Sequence, residues 1–186
     1  MKTIIMLLVG LCFSLLVSAQ FTPGIKVGFN SAHLTGFSGN DRVGIHAGVF
    51  LHHTIDNHWC VQPEVLYSSE GQKYFNNGEE RTLALNYIQV PVMIQYYPAR
   101  HLYFEFGPQF GLLVNAQDKG NDGEFNAKND FTNGQVGLNV GVGVNVTRQF
   151  GFYGRYSFGL TDVSKFDNIV DHSQVGQIGV AIRLKQ

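Results

Sequence analysis

The chain has 186 residues, with 13 basic against 14 acidic side chains and two cysteines. This near-zero net charge argues against nucleic acid as a partner. The 22 glycines, 15 phenylalanines and 8 tyrosines suit long twisted strands with aromatic belts better than a helical domain. The composition therefore favours an all-β chain.

The first 19 residues have the pattern of an export signal. Lys2 precedes an apolar run, and small residues follow up to Ala19. The pattern predicts cleavage after Ala19, so that the mature chain begins at Gln20 and residues 20–186 form one domain. Cleavage leaves Cys60 as the single cysteine of the mature chain, which excludes an intramolecular disulfide framework there.

Eight downstream segments alternate apolar and polar residues with a period of two, the pattern of strands with one apolar face. The sixth is the most regular: at 136–146 every even position is Val or Leu, and every odd position is Gly or Asn. Its length of about eleven residues suits a tilted strand that crosses a bilayer. The predicted strands are 24–32, 42–53, 58–68, 83–97, 102–114, 136–146, 150–160 and 174–185.

The predicted connections alternate in length. Three are short (54–57, 98–101 and 147–149), and they alternate with four longer ones (34–41, 69–82, 115–132 and 161–173). This is the pattern of outer-membrane barrels, which have short periplasmic turns and long extracellular loops. We predict an all-β fold, an eight-stranded antiparallel up-and-down transmembrane β-barrel with both termini on the periplasmic side.

Aromatic residues on the apolar faces gather near the predicted strand ends. Trp59, Tyr96 and Phe150 lie by the short turns, and Tyr67 and Phe158 lie by the longer connections. Because amphipathic rings prefer the bilayer interfaces, these residues predict two aromatic girdles. The alternative is a soluble barrel whose apolar face turns inward and whose polar face meets water.

Three prolines interrupt this pattern. Pro63, Pro91 and Pro108 lie inside the third, fourth and fifth predicted strands. Proline donates no ladder hydrogen bond and is normally confined to sheet edges or bulges, whereas a closed barrel has no edge. We therefore expect β-bulges at these prolines, or locally weak pairing in this half of the barrel.

Three segments resemble one protein family. The sequences QPEVLYS (62–68), YIQVPVMIQYY (87–97) and FEFGPQFGLL (104–113) are similar to those of small outer-membrane β-barrel proteins of Gram-negative bacteria, often named porin family or PorT-like. The resemblance extends over the mature chain. It implies a location in the outer membrane, in contact with its lipid, and carries no catalytic residue. Insertion there implies a transient partner, the barrel assembly machinery.

The inward faces of the predicted barrel carry charged residues. The interior of an eight-stranded barrel is just wide enough for its own side chains to fill. Buried charges need partners, so we predict a plug of ion pairs in which Arg155 and Arg183 oppose Glu64 and Glu105. The alternative is isolated charges near a wet mouth. Either arrangement predicts a lumen that conducts poorly.

Histidines cluster around the first short turn, where metal binding is one interpretation. The group contains His52, His53, Asp56 and His58. Successive strand residues point to opposite faces, so His52 and His53 cannot easily bind one ion. We predict polar interfacial histidines, with no metal site and no cofactor site.

The predicted function is structural or interactive rather than enzymatic. The barrel would present its extracellular loops to an unidentified surface or periplasmic protein partner. One alternative is a lipid-modifying enzyme, for which Ser68, Ser157 and His172 are the candidate residues near the outer rim. An accessory of a secretion apparatus and a narrow channel are further alternatives.

Overall fold

The computed structural model describes residues 21–34, 40–76, 79–120, 123–126, 132–161 and 173–184. The predicted signal segment, with its cleavage site between Ala19 and Gln20, lies outside these residues. The described part of the chain contains no helix that is long and apolar enough to cross a membrane. Its strands are β1 (Thr22–Leu34), β2 (Asn40–Thr54), β3 (Trp59–Asn76), β4 (Glu79–Tyr96), β5 (Leu102–Gly120), β6 (Gly123–Asn126), β7 (Gly134–Asn145), β8 (Phe150–Gly159) and β9 (Ser173–Arg183).

Eight of these strands form a closed antiparallel barrel. The order around the ring is β4-β3-β2-β1-β9-β8-β7-β5, and pairing between β4 and β5 closes it. The first and last strands pair over eleven residues, from Gly24 opposite Arg183 to Leu34 opposite Ser173. The short β6 pairs only with the end of β5 and adds no strand to the wall. The predicted eight-stranded barrel is confirmed.

The apolar faces point outward. Val140 and Phe106 on the wall are 48% and 46% exposed, whereas Glu105 beside Phe106 is 2% exposed. Polar side chains fill the interior, among them Asn30, Gln62 and Gln109. An apolar outer wall around a polar interior is the arrangement of a barrel in lipid. The inward-facing apolar surface of the soluble alternative is therefore wrong.

Three adjacent strands extend beyond the others on one side of the barrel. β3, β4 and β5 have 18, 18 and 19 residues, and the other five wall strands have 10 to 15. The long connection predicted at 69–82 is instead a hairpin in which Asn76 pairs with Glu79. Residues 77–78 are Asn-Gly, the strongest short signal for a two-residue hairpin. Much of the predicted connection 115–132 likewise belongs to β5 and β6.

The prolines interrupt pairing without shifting register. Ladder pairs are missing at Pro63 between β2 and β3, at Pro91 between β3 and β4, and at Pro108 between β4 and β5. The register is the same on both sides of each gap. The register shifts lie elsewhere, between Asp41 and His46 and between Asn86 and Tyr87. Of the two expectations, bulges at the prolines are therefore wrong and locally weak pairing agrees with the gaps, because the missing amide donor opens the ladder there without adding a residue.

Candidate functional site

Four charged side chains meet in the middle of the barrel. The Lys26 Nζ donates to Glu64 Oε1 at 2.7 Å. Arg155 donates through Nη1 and Nη2 to the two oxygens of Glu64, both at 2.9 Å, and through Nε to Glu105 Oε1 at 2.8 Å. Lys26 also lies 3.9 Å from Glu105 Oε2. We call Lys26, Glu64, Glu105 and Arg155 the lumen ion-pair cluster.

The ring geometry brings these four residues together. They lie on β1, β3, β5 and β8, so the contacts cross the lumen from four sides of the wall. All four side chains are fully buried, and two cations balance two carboxylates. The fork of Arg155 matches the Glu64 carboxylate in the bidentate geometry that gives the strongest ion pairs. The ring of Tyr153 adds a cation–π contact, 4.3 Å from the Lys26 Nζ.

The structure brings together three of the four residues that we predicted to pair. Glu64, Glu105 and Arg155 are in contact, but Arg183 lies apart from them, near the end of β9. Lys26 occupies the fourth place. Its inward position could be read from the alternation in β1, but its height relative to Glu64 depends on how the ring closes.

Arg183 instead spans the end of the barrel that carries the short turns, which we call the turn-side mouth. Its Nη2 donates to the hydroxyl of Tyr97 at 2.9 Å and lies 3.5 Å from Oδ1 of Asn145. Tyr97 in turn donates to Gln95 at 3.1 Å, and Gln95 donates to Glu105 at 3.1 Å. A chain of hydrogen bonds therefore links Arg183 to the lumen ion-pair cluster without direct contact.

A second polar network fills the interior on the side of the cluster that faces away from the turn-side mouth. We call that end of the barrel the hairpin-side mouth, because β3 and β4 pair there as a hairpin. His46 contacts the hydroxyl of Tyr153 and, through Nδ1, Asn30 Oδ1 at 2.5 Å. Asn30 donates to Ser68 at 2.7 Å, and Ser68 donates to Glu70 at 2.9 Å. The polar filling therefore continues without a break from the cluster toward the hairpin-side mouth.

Apolar side chains lie buried in the interior beside Glu70. They come from β4 and β5 and form one buried group: Leu83, Leu85, Tyr87, Leu113 and Ala116. Leu85 pairs with Glu70 on one side and with Ala116 on the other, which sets the height of this group. The described interior is thus occupied by ion pairs, amides and apolar side chains in successive layers.

The predicted girdle residues lie on the outer wall. Trp59 and Tyr96 are partners in the β3–β4 ladder, and their ring centroids lie 4.8 Å apart. Phe150 begins β8 beside the turn-side mouth and packs edge-on against Phe152. Tyr67 lies eight residues beyond Trp59, a rise of about 20 Å along the axis of a barrel with tilted strands. This separation approaches the height of the apolar band of an outer-membrane barrel.

The fifth predicted girdle residue, Phe158, lies near the end of β8 and packs against Tyr156 at 4.7 Å. It is 44% exposed on the outer wall. Tyr67 and Phe158 therefore stand on the hairpin side, and the other three stand on the turn side.

The alternative sites do not assemble in the described residues. No group of three His, Cys, Asp or Glu side chains able to hold a metal ion occurs there. Ser68 and Ser157, the candidate nucleophiles, are buried in the lumen, where Ser157 donates to Asn139 at 2.5 Å. Neither hydroxyl faces the outer wall, where a lipid would reach it. His172 lies outside the described residues.

Several solved structures share this fold. Neisserial surface protein A (NspA) superposes with a TM-score of 0.61 at 14% identity, covering 87% of this chain and 97% of that one. Ail, the attachment invasion locus protein of Yersinia pestis, gives 0.52 at 14%, covering 88% and 99%. OprG from Pseudomonas aeruginosa gives 0.51 at 11%, covering 90% and 98%. At such identities the likeness shows the fold alone.

The sequence itself carries the family assignment. No curated protein matches the chain, but residues 17–165 match the family model described as outer membrane protein beta-barrel domain. That match spans seven of the eight wall strands and agrees with the apolar outer wall. The expected location in the outer membrane is confirmed, and the chain belongs to the outer membrane protein beta-barrel domain family.

Proposed function

We propose that this protein is a non-conducting scaffold of the outer membrane that presents the extended side of its barrel to a partner. The lumen ion-pair cluster is the observation that carries the proposal. Its four side chains reach from four sides of the wall and occupy the centre of the lumen. An ion passing through would have to separate these pairs, and a buried charge that loses its partner costs about 3–5 kcal/mol.

The extended parts of β3, β4 and β5 support the presenting role. They are tied together by Asp118, whose carboxylate accepts from the hydroxyl of Tyr74 at 2.8 Å and from Nε of Arg81 at 3.1 Å. The tie spans all three strands, so this part of the sheet offers a firm surface rather than a loose loop. Ail, a structural neighbour, is an attachment invasion locus protein and has been solved with the heparin analogue sucrose octasulfate. This neighbour gives an example of a ligand bound to a barrel of similar size.

The predicted orientation places the turn-side mouth in the periplasm and the extended strands outside the cell. In that orientation the extended strands would meet a surface partner, and the barrel assembly machinery would insert the chain. A periplasmic protein partner would instead contact the turns.

Planar-bilayer recording tests the closed lumen. The folded chain should give no regular conductance steps, because the cluster occupies the centre of its lumen. The double variant Glu105→Ala/Arg155→Ala removes one ion pair and side-chain volume together, and it should give measurable ion leakage. Arg81→Ala/Asp118→Ala is the matched control, since it removes a similar pair near the hairpin-side mouth, away from the cluster, and should stay silent. Regular steps from the unaltered chain would refute the non-conducting role.

A further inference from the structure

The turn-side mouth encloses a cavity of about 450 Å³. Its floor is formed by Tyr97, Asn145 and Arg183, and its rim is formed by the short turns. Arg100 stands on the turn between β4 and β5, and Arg148 stands on the turn between β7 and β8. The volume lies within the range of pockets that hold small molecules, about 300–1,000 Å³.

The charged side chains that line this cavity are mostly positive. Three arginines line it, and Asp56 is the single carboxylate among the described lining residues. That carboxylate is already engaged, because its Oδ1 accepts from the backbone amides of His58 and Trp59 at 2.7 and 2.8 Å. These two hydrogen bonds hold the pKa of Asp56 below its usual value, so its carboxylate is an anion that stabilises the turn between β2 and β3. It forms no ion pair with any of the three arginines in the described structure.

The arginines contrast with those elsewhere in the barrel. Arg155 pairs with two carboxylates, and Arg81 pairs with Asp118. Arg183 is held by the neutral groups of Tyr97 and Asn145, which fix its guanidinium across the mouth. A guanidinium presents several N–H donors in a planar fork that matches the oxygens of a phosphate or carboxylate. Three such forks around one cavity favour an anion with several oxygens.

We propose that the turn-side mouth is a binding site for a small phosphate-bearing anion, with Arg183 at its floor and Arg100 and Arg148 at its rim. Arg183, Tyr97 and Asn145 at the floor lie on the lumen side of the wall, away from the outer surface that meets lipid. A lipid phosphate could reach them only if its acyl chains crossed the rim of the strands. The ligand is therefore a water-soluble compound, which in the predicted orientation comes from the periplasm.

Isothermal titration calorimetry with inorganic pyrophosphate tests this proposal. The chain is folded in micelles of a detergent without phosphate, such as lauryldimethylamine oxide. Saturable binding at one site is expected. Arg148→Gln and Arg100→Gln should each weaken it by about tenfold, since each removes a charge-assisted contact from an exposed turn where folding is not at risk. Arg183→Gln should weaken it further, by more than about tenfold.

Arg42→Gln is the matched control. Arg42 carries the same charge on the hairpin side, where it donates to the backbone oxygen of Glu70, and its loss should leave pyrophosphate affinity unchanged. An equal loss of affinity in Arg42→Gln would show a general charge effect and overturn the proposal. Failure of the unaltered chain to bind pyrophosphate would overturn it as well.

A second experiment distinguishes a water-soluble phosphate ligand from a lipid phosphate. In nanodiscs that contain phosphatidylglycerol, pyrophosphate should bind as it does in micelles, because a soluble ligand and the lipid occupy different sides of the wall. Loss of binding in these nanodiscs would assign the arginines to lipid headgroups and overturn the soluble ligand. Neither experiment depends on whether the lumen conducts ions.

Discussion

At the scale of single residues, the lumen ion-pair cluster is the most sensitive part of the protein. Glu105→Ala leaves Lys26 and Arg155 with only the Glu64 carboxylate between them. An unbalanced cation then stays in a buried site, and we expect the free energy of unfolding to fall by about 3–5 kcal/mol. Urea titration of the chain folded in lipid vesicles measures this loss.

A double variant separates lost charge balance from lost packing. Lys26→Met/Glu105→Gln removes one charge of each sign and keeps the approximate side-chain volumes. Because balanced removal of a buried ion pair is often neutral or stabilising, this variant should recover most of the loss. A single variant Glu105→Ala as stable as the unaltered chain would show that the cluster is hydrated and that its pairs contribute little.

At the scale of strands, the three prolines define a band of weak pairing across β3, β4 and β5. Ladder pairs are missing beside Pro63, Pro91 and Pro108, whereas β7 and β8 pair without interruption from Gly137 to Asn145. Each proline leaves one ladder carbonyl without its donor, and segments with fewer ladder hydrogen bonds open more readily. We expect the amides of Val65 and Met93 to exchange about tenfold faster than those of β7 at the same depth.

Hydrogen exchange read by NMR in micelles measures this difference. The amides of Val140 and Val142 are the reference, because they also lie on the wall and are shielded by the same detergent belt. Equal protection of the two groups would mean that water or side chains replace the missing ladder bonds. In that case the prolines would not weaken this half of the barrel.

At the scale of the whole molecule, the outer wall should behave as a surface immersed in hydrocarbon. Val140 lies five residues from the end of β7, a height of about 13 Å above the turn-side mouth and near the middle of the apolar band. Val140→Arg should lower the free energy of unfolding in vesicles by about 2–4 kcal/mol. Val146→Arg, beside the turn, should cost at most about 1 kcal/mol.

The same variants can be compared by their migration on gels in sodium dodecyl sulfate. A closed barrel stays compact in the cold sample and migrates more slowly after boiling, so the ratio of the two bands reports the folded fraction. Val140→Arg should shift this ratio toward the slow band, and Val146→Arg should not. Similar effects at both positions would contradict a membrane-embedded wall at the height we assign.

The alternation of side chains was enough to predict the wall. A period of two sends successive residues to opposite faces, so the segment 136–146 and its seven counterparts identified the strands and their apolar faces directly. The extended ends of β3 to β5 were missed for a related reason. Beyond the apolar band a strand needs no apolar outer face, so 69–82 has no alternation that distinguishes it from a loop. Its Asn-Gly pair was the signal that could have revealed the hairpin.

The sequence alone determined the number of wall strands and which residues share the apolar or the polar face of each strand, because both follow from local alternation. Only the folded barrel showed that the apolar face points outward and the charged residues inward. Closure of the ring determined which charges meet. Whether Lys26 or Arg183 reaches Glu64 depends on the stagger of the strands around the barrel, and that stagger is a property of all eight strands together. The lumen ion-pair cluster and the arginine-lined mouth therefore emerge only in the folded barrel.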